Sequence, residues 1–168
     1  HVDATAPTKN KAKEIDRLTI KLADVLVFAT QKMKELYLNS YPEIEESKFF
    51  VIENGYDESV FSNLHRKRPE SNVFKLLYSG ALYPMGRDPL PLFAAISKLT
   101  KAGIVDPSNF RLVFRGAGDG ERYEETLIEM GLLGMVDFLE SVPFAQSIQE
   151  MKDADALLVL QGEIFNNQ

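Results

Sequence analysis

Cysteine is absent from this 168-residue sequence, and histidine occurs only twice. Without cysteine there is no disulfide framework, no thiol nucleophile and no thiolate ligand for a metal. His1 and His65 both fall in segments that we predict to be irregular, so neither is a candidate base or metal ligand. The lack of thiols fits a reducing compartment, and we expect the protein in the cytoplasm.

Long apolar runs are missing too. No stretch approaches the about 20 apolar residues that cross a bilayer, and the first residues lack the basic and apolar regions of a signal peptide. The net charge of −6 leaves no excess of cations. Because affinity for nucleic acid comes mainly from cations that replace counterions, we expect no nucleic-acid partner. The one basic run, at positions 65–68, is interpreted as a solvated linker in preference to a phosphate patch.

Apolar spacing divides the chain into two blocks joined by a polar segment at 56–72. The first block, residues 1–55, predicts helices at 10–22 and 31–38, the second capped by Thr30, and strands at 24–29 and 48–52. The second block, residues 73–168, predicts strands at 74–78, 109–114, 136–139 and 156–160, with helices at 89–102, 121–130 and 144–152. Strands that alternate with helices predict an α/β fold with a Rossmann-like parallel sheet.

Both ends of this pattern are incomplete. The first block supplies only two strands, and the strand predicted at 156–160 has no following helix to cover it. We therefore expect a sheet truncated at both ends, cut from a larger domain or completed by a second copy of the chain.

Three glycine-containing turns are predicted at strand ends of the second block. Gly80 ends the first strand, Gly116 and Gly118 follow the next, and the third turn is the 140–143 region next to Gly134. In an open parallel sheet the ligand binds at the carboxyl ends of the strands. Glycine lets the backbone approach a ligand, and the next helix points free N–H groups at the same place, so phosphate is the natural ligand. A glycine that merely lets the chain bend is the alternative for any single turn.

Two phosphate fingerprints can be compared with these turns. The P-loop pattern is absent, and the dinucleotide pattern Gly-x-Gly-x-x-Gly fails at its third glycine, where Glu121 stands. Glu140 lies about 20 residues further on, where a ribose contact is expected. Nicotinamide binding stays an alternative, although this loop follows the second strand of its block and not the first.

Three charged residues lie near the predicted strand ends. Arg87 falls in a glycine-bearing loop, where a guanidinium can clamp a diphosphate; an ion pair with Asp88 is the alternative. Arg115 could act in the same way or face solvent. Glu163 could bind a sugar hydroxyl or lie in a solvated loop.

In series, these segments resemble the retaining glycosyltransferases with two facing Rossmann-like domains, the GT-B type, and among them family 4, or group 1. The resemblance rests on six motifs in the family's order, which cover nearly the whole chain: ADVLV at 23–27, VIENGYD at 51–57 with Phe61, LYSG at 77–80, FRGAG at 114–118, VDF at 136–138 and ADALLV at 154–159. The sequence departs from the family at three places: Ala81 replaces an arginine, Arg87 stands one place beyond the usual lysine, and Glu140 replaces a glycine.

The resemblance implies that residues 1–55 end an acceptor-binding domain and that 73–168 begin a donor-binding domain. Gly80 and Arg87 would hold the donor diphosphate. Gly116, Gly118 and the backbone around Val142 would bind the nucleotide, and Glu163 would contact the sugar. Such enzymes use no metal or other cofactor, because basic side chains and a helix N-terminus stabilise the leaving diphosphate.

The family also implies partners: a nucleotide-sugar donor and a saccharide or lipid-linked acceptor, with cell-surface polysaccharide as product and peripheral contact with a membrane. The family's paired glutamates are expected beyond Gln168, so the 168 residues alone are expected to lack transferase activity. A nucleotide-sugar epimerase and a non-catalytic nucleotide-binding module stay open as alternatives.

Overall fold

A computed structural model describes residues 6–62, 64–67, 71–83, 86–118 and 120–160. The chain divides into two compact units, His1–Asp57 and Glu58–Gln168, called here the first and the second unit. Strands and helices alternate in both units, and the strands pair in parallel, which confirms the predicted α/β class. In the described part of the chain, no helix combines the length and the apolar character that a membrane span needs.

The first unit is a two-stranded parallel sheet with two helices. Its elements are α1 (Ala6–Leu22), β1 (Leu26–Phe28), α2 (Gln31–Ser40) and β2 (Phe49–Val51). Leu26 lies opposite Phe49, and the pairing continues to Phe28 and Val51. The predicted cap of the second helix is present, since the Met33 amide donates to the Thr30 hydroxyl at 3.1 Å.

Aromatic rings form the core of the first unit. The Phe28 ring lies 5.0 Å from that of Tyr37 and 5.7 Å from that of Phe49, while the alternate residues Val27 and Phe50 are exposed. This alternation is the period of two expected of a strand with one covered face.

The second unit contains a four-stranded sheet in the order β5-β4-β3-β6. Its elements are α3 (Ser59–Ser62), β3 (Phe74–Ser79), α4 (Leu90–Lys101), β4 (Phe110–Arg115), α5 (Glu124–Glu129), β5 (Val136–Leu139), α6 (Phe144–Asp153) and β6 (Ala156–Leu157). All three pairings are parallel, and Leu112 of the central strand lies between Leu76 and Val136. A short 3₁₀ turn, Glu121–Tyr123, begins the helix predicted at 121–130.

The core of the second unit is aromatic and fully buried at its centre. Phe93 of α4 meets Phe114 of β4 and Tyr123 edge-on, with ring centroids 6.0 and 5.7 Å apart. Leu112, Val113 and Phe114 are all buried, so β4 is covered on both faces as a central parallel strand should be. This packing holds the ends of β4 and its neighbours in a fixed arrangement.

The strand predicted at 156–160 is shorter in the structure. β6 covers only Ala156–Leu157, and its pairing with β3 ends where the Leu158 amide donates to the Leu77 carbonyl at 2.8 Å. The apolar run was long enough for five strand residues, but the chain leaves the edge of β3 after two, although β3 continues to Ser79.

The basic run at 65–68, predicted as a solvated linker, is hydrogen-bonded to other parts of the second unit. Arg66 pairs with Asp155, and the Lys67 amide donates to Asp153 Oδ1 at 2.7 Å. Asp155 also accepts from the Lys75 amide at 2.7 Å, so this carboxylate joins the segment to the start of β3. The assignment of residues 1–55 and 73–168 to acceptor and donor binding stays a prediction.

Candidate functional site

The strands of the second unit end along one edge, and the glycine turns continue their pairing. The Gly80 amide donates to the Arg115 carbonyl at 3.0 Å, and the Gly116 amide donates to the Leu139 carbonyl at 2.9 Å. The turns after β3, β4 and β5 are therefore immediate neighbours. The structure thus places Gly80 and Gly116 side by side at the carboxyl edge.

Backbone conformation explains the glycine at both positions. Gly80 has φ of 147° and Gly116 has φ of 65°, values that side chains with a Cβ rarely adopt. The Tyr78 hydroxyl donates to the Ala81 carbonyl at 2.9 Å and holds the first turn. A substitution at either glycine therefore strains the turn even though space for a Cβ exists.

Gly120 is required for a different reason. Its φ of −78° suits any residue, but a Cβ built there would lie 2.5 Å from Cβ and 2.8 Å from Cδ1 of Phe138. The Phe138 ring cannot retreat, since it is stacked on Phe114 and Tyr123 at centroid distances of 4.8 and 5.6 Å. The absence of a side chain at 120 lets the loop after β4 lie against β5.

A cavity of about 560 Å³ opens between the loops that follow β4 and β5. Its volume is within the range of small-molecule sites. The predicted residues Gly116 and Gly118 line it, whereas Gly80, Arg87 and Val142 do not. The lining residues are Gly116, Gly118, Gly120, Glu121, Glu124, Leu127, Phe138, Leu139, Glu140 and Ser141. Val142 directly follows this lining and is half-buried.

The polar character of the cavity comes from carboxylates and backbone. Glu121, Glu124 and Glu140 line it and are exposed, while none of its described lining residues is basic. Phe138 and Leu127 supply the apolar surface. A space with this lining repels phosphate and favours a flat or neutral group that can donate hydrogen bonds to oxygen atoms.

Arg87 is not part of the cavity lining but contacts the turn that follows Gly80. Its Nη1 is 3.4 Å from the Ala81 carbonyl, and its guanidinium lies 5.2 Å from the centre of the Tyr83 ring. Asp88, the predicted alternative partner, instead accepts from the Leu90 amide at 3.0 Å, at the start of α4. The exposed guanidinium of Arg87 is therefore at the same edge as Gly80 and Gly116.

Arg115 is already engaged within the unit. Its Nε and Nη2 donate to the two oxygens of Glu150 at 2.7 and 3.0 Å, and its Nη1 donates to the Glu140 carbonyl at 2.8 Å. The solvent-facing hypothesis for this residue is wrong, since only 15% of its side chain is exposed, and the diphosphate clamp stays a prediction. The sequence could not show this because Glu150 is 35 residues away, on α6.

Glu163, the predicted sugar ligand, lies outside the described residues. The structure adds Glu124 to the lining, a residue that the sequence did not single out. Glu121 and Glu124 stand three residues apart directly after the glycine loop, which is the one sequence signal that could have indicated a shared face.

Tyr123 is buried behind Phe138, which lines the cavity. Burial raises the pKa of its phenol, and the nearby Asp88 raises it further, while the Arg122 guanidinium opposes both. The phenol therefore stays neutral at physiological pH, and its ring is stacked on that of Phe138 at a centroid distance of 5.6 Å.

No protein-family model matches the sequence, and no curated protein does. Solved structures do match. The lipopolysaccharide outer core galactosyltransferase WaaB, in its apo form, has 21% identity and a TM-score of 0.59 over 83% of this chain. TarM from S. aureus, in complex with UDP and saccharides, has 13% identity and a TM-score of 0.64 over 88%. The pneumococcal O-GlcNAc transferase GtfA, in complex with UDP and GlcNAc, has 11% identity and a TM-score of 0.61 over 89%.

These likenesses extend over most of this chain but over little of the others. The chain covers 37%, 27% and 29% of the three solved chains, about a third of their length. At such identities the comparison establishes architecture. The chain therefore has the parallel, Rossmann-like α/β fold of GT-B glycosyltransferases.

Proposed function

We propose that this chain is the part of a glycosyltransferase that holds the nucleotide-sugar donor, at the carboxyl edge of the second unit. The observation that carries the proposal is the pair of neighbouring glycine turns, Gly80 and Gly116, beside a cavity and an exposed arginine. Three solved structures with this fold are glycosyltransferases, and two of them contain UDP, which supports a nucleotide as the ligand.

The distribution of charge determines how the donor is oriented in the proposed site. Phosphates are disfavoured in a cavity lined by Glu121, Glu124 and Glu140, because like charges repel. The nucleoside therefore occupies the cavity, with its base against Phe138 and the glycine backbone. Its diphosphate extends toward Gly80 and Arg87, where an exposed guanidinium can receive it.

The chemistry required of this edge is stabilisation of the leaving diphosphate. When the bond between the sugar and the diphosphate breaks, negative charge grows on the phosphate oxygens. The Arg87 guanidinium is the donor for that charge, which is the form of electrostatic stabilisation that lowers such barriers.

The finer assignments extend the motif resemblance. They are a retaining, metal-independent reaction of the family 4 type, a sugar contact by Glu163, and a saccharide or lipid-linked acceptor in cell-surface polysaccharide synthesis. A cytoplasmic location, peripheral contact with a membrane and assembly with a second copy belong to the same proposal.

Titration calorimetry with UDP, GDP and NAD tests the proposal on the protein itself. We expect one nucleoside diphosphate to bind, and the corresponding nucleoside to bind more weakly because it lacks the phosphate contacts. Binding is the measured quantity, since the donor site can be occupied without turnover. Binding of NAD without either nucleoside diphosphate, or no binding of any of the three, would refute the proposed function.

A further inference from the structure

The side chain of Arg115 joins three elements around the cavity. It leaves the end of β4, reaches Glu150 on α6 with two hydrogen bonds, and reaches the Glu140 carbonyl with a third. Only 15% of the Arg115 side chain and 18% of the Glu150 side chain is exposed. A guanidinium that forms a bidentate pair while it donates a further bond is held in one orientation.

We propose that Arg115 is a positioning residue for nucleotide binding: it fixes the loop at 140–143, which forms one wall of the cavity. This inference rests on the proposed function. Glu140 and Ser141 line the cavity, and Val142 follows them. The loop therefore has to keep its shape for the nucleoside to fit.

The attachment of this loop has two parts. The Gly116 amide holds its start through the Leu139 carbonyl, one residue before the Arg115 bond to the Glu140 carbonyl. The Glu150 carboxylate, which accepts two hydrogen bonds from Arg115, also accepts one from Gln146 Nε2 at 3.3 Å. Arg115 thus fixes the loop both directly and through the helix that follows it.

Arg111 provides a matched control on the same strand. It stands four residues before Arg115 and pairs with Asp137 of β5, with Nη1 3.3 Å from both carboxylate oxygens. Both arginines connect β4 to a carboxylate on another element of the second unit, but only Arg115 contacts the loop at 140–143. Each substitution removes one ion pair. Only loss of the Arg115 pair should weaken nucleotide binding.

The experiment compares Arg115→Gln with Arg111→Gln in two measurements. The first is amide hydrogen exchange. The second is titration with the nucleoside diphosphate that the parent protein binds, and with the corresponding nucleoside. We expect Arg115→Gln to speed exchange at 140–146 and to weaken both ligands by about 3- to 10-fold, the loss of one well-made hydrogen bond. Arg111→Gln should leave exchange at 140–146 and both affinities at the parent values. Arg115→Lys, which keeps the charge but not the three bonds, should lie between, and it serves if the glutamine variant does not fold.

Two results would overturn the inference. One is equal loop exchange and equal affinity in the two glutamine variants. The other is a loss confined to the diphosphate with the nucleoside unaffected, which would mean that Arg115 contacts phosphate directly. If the parent binds no nucleotide, the proposed function fails, while hydrogen exchange still decides whether Arg115 holds the loop.

Discussion

Gly120 approaches Phe138 so closely that no other residue fits at position 120 without movement of one of the two chain segments. A Cβ there would lie within 2.5 Å of the Phe138 Cβ, which belongs to β5 and cannot rotate away as a side-chain tip could. The Phe138 ring is also fixed, between Phe114 and Tyr123. The glycine loop and the aromatic core therefore depend on each other.

Gly120→Ala is expected to destabilise the second unit. Because the neighbouring atoms include part of β5, the added methyl group forces a backbone shift, and the free energy of unfolding should fall by about 1–3 kcal/mol. Urea denaturation measures the change. Gly55→Ala is the control, since nothing lies within 4 Å of a Cβ at that position. Equal stability of the two variants would contradict the close packing at 120.

Arg87→Gln is expected to weaken binding of the nucleoside diphosphate and to spare the nucleoside. Loss of a charge-assisted contact should reduce affinity for the diphosphate by about tenfold, and the difference from the parent should shrink as salt is added. Calorimetry with both ligands measures this. Lys101→Gln, at the far end of α4, removes the same charge and should have little effect. A parallel loss for the nucleoside would place Arg87 against the base instead.

The alkaline titration of the first unit is expected to depend on Asp16. The Tyr41 hydroxyl donates to Asp16 Oδ2 at 2.7 Å, and this bond raises the pKa of Tyr41 above its ordinary value. The pKa of Tyr37 is raised as well, first by burial and then by the Asp16 charge. Since the folded state favours the neutral phenols, their contribution to stability is complete below about pH 10 and is lost as pH rises through the raised values.

Asp16→Ala should therefore lower the pKa of Tyr41 toward that of a free tyrosine, while Tyr37 keeps the part of its increase that burial causes. Absorbance at 295 nm during an alkaline titration measures both, with Tyr41→Phe and Tyr37→Phe to assign the transitions. The explanation is wrong if the Asp16→Ala protein titrates like the parent.

Local patterns were sufficient to predict most of the fold. The α/β class and the order of strands and helices follow from apolar periods of two and 3.6, which are set by residues close together in the chain. The Thr30 cap and the glycine turns at Gly80 and Gly116 are local for the same reason. The apolar run did not give the strand length, as the two-residue β6 shows, since its pairing with β3 stops at Leu157 although β3 continues to Ser79.

The sequence by itself determined which residues could form a phosphate-binding edge, because a glycine at the end of a strand is visible without knowledge of its neighbours. Only the tertiary structure decided what each charge near that edge can do. The tertiary fold brought Glu150 of α6 to Arg115 and paired the two charges, and it set three carboxylates around the cavity while Arg87 stayed exposed. Such pairings depend on contacts between residues far apart in the chain, and no local pattern encodes them.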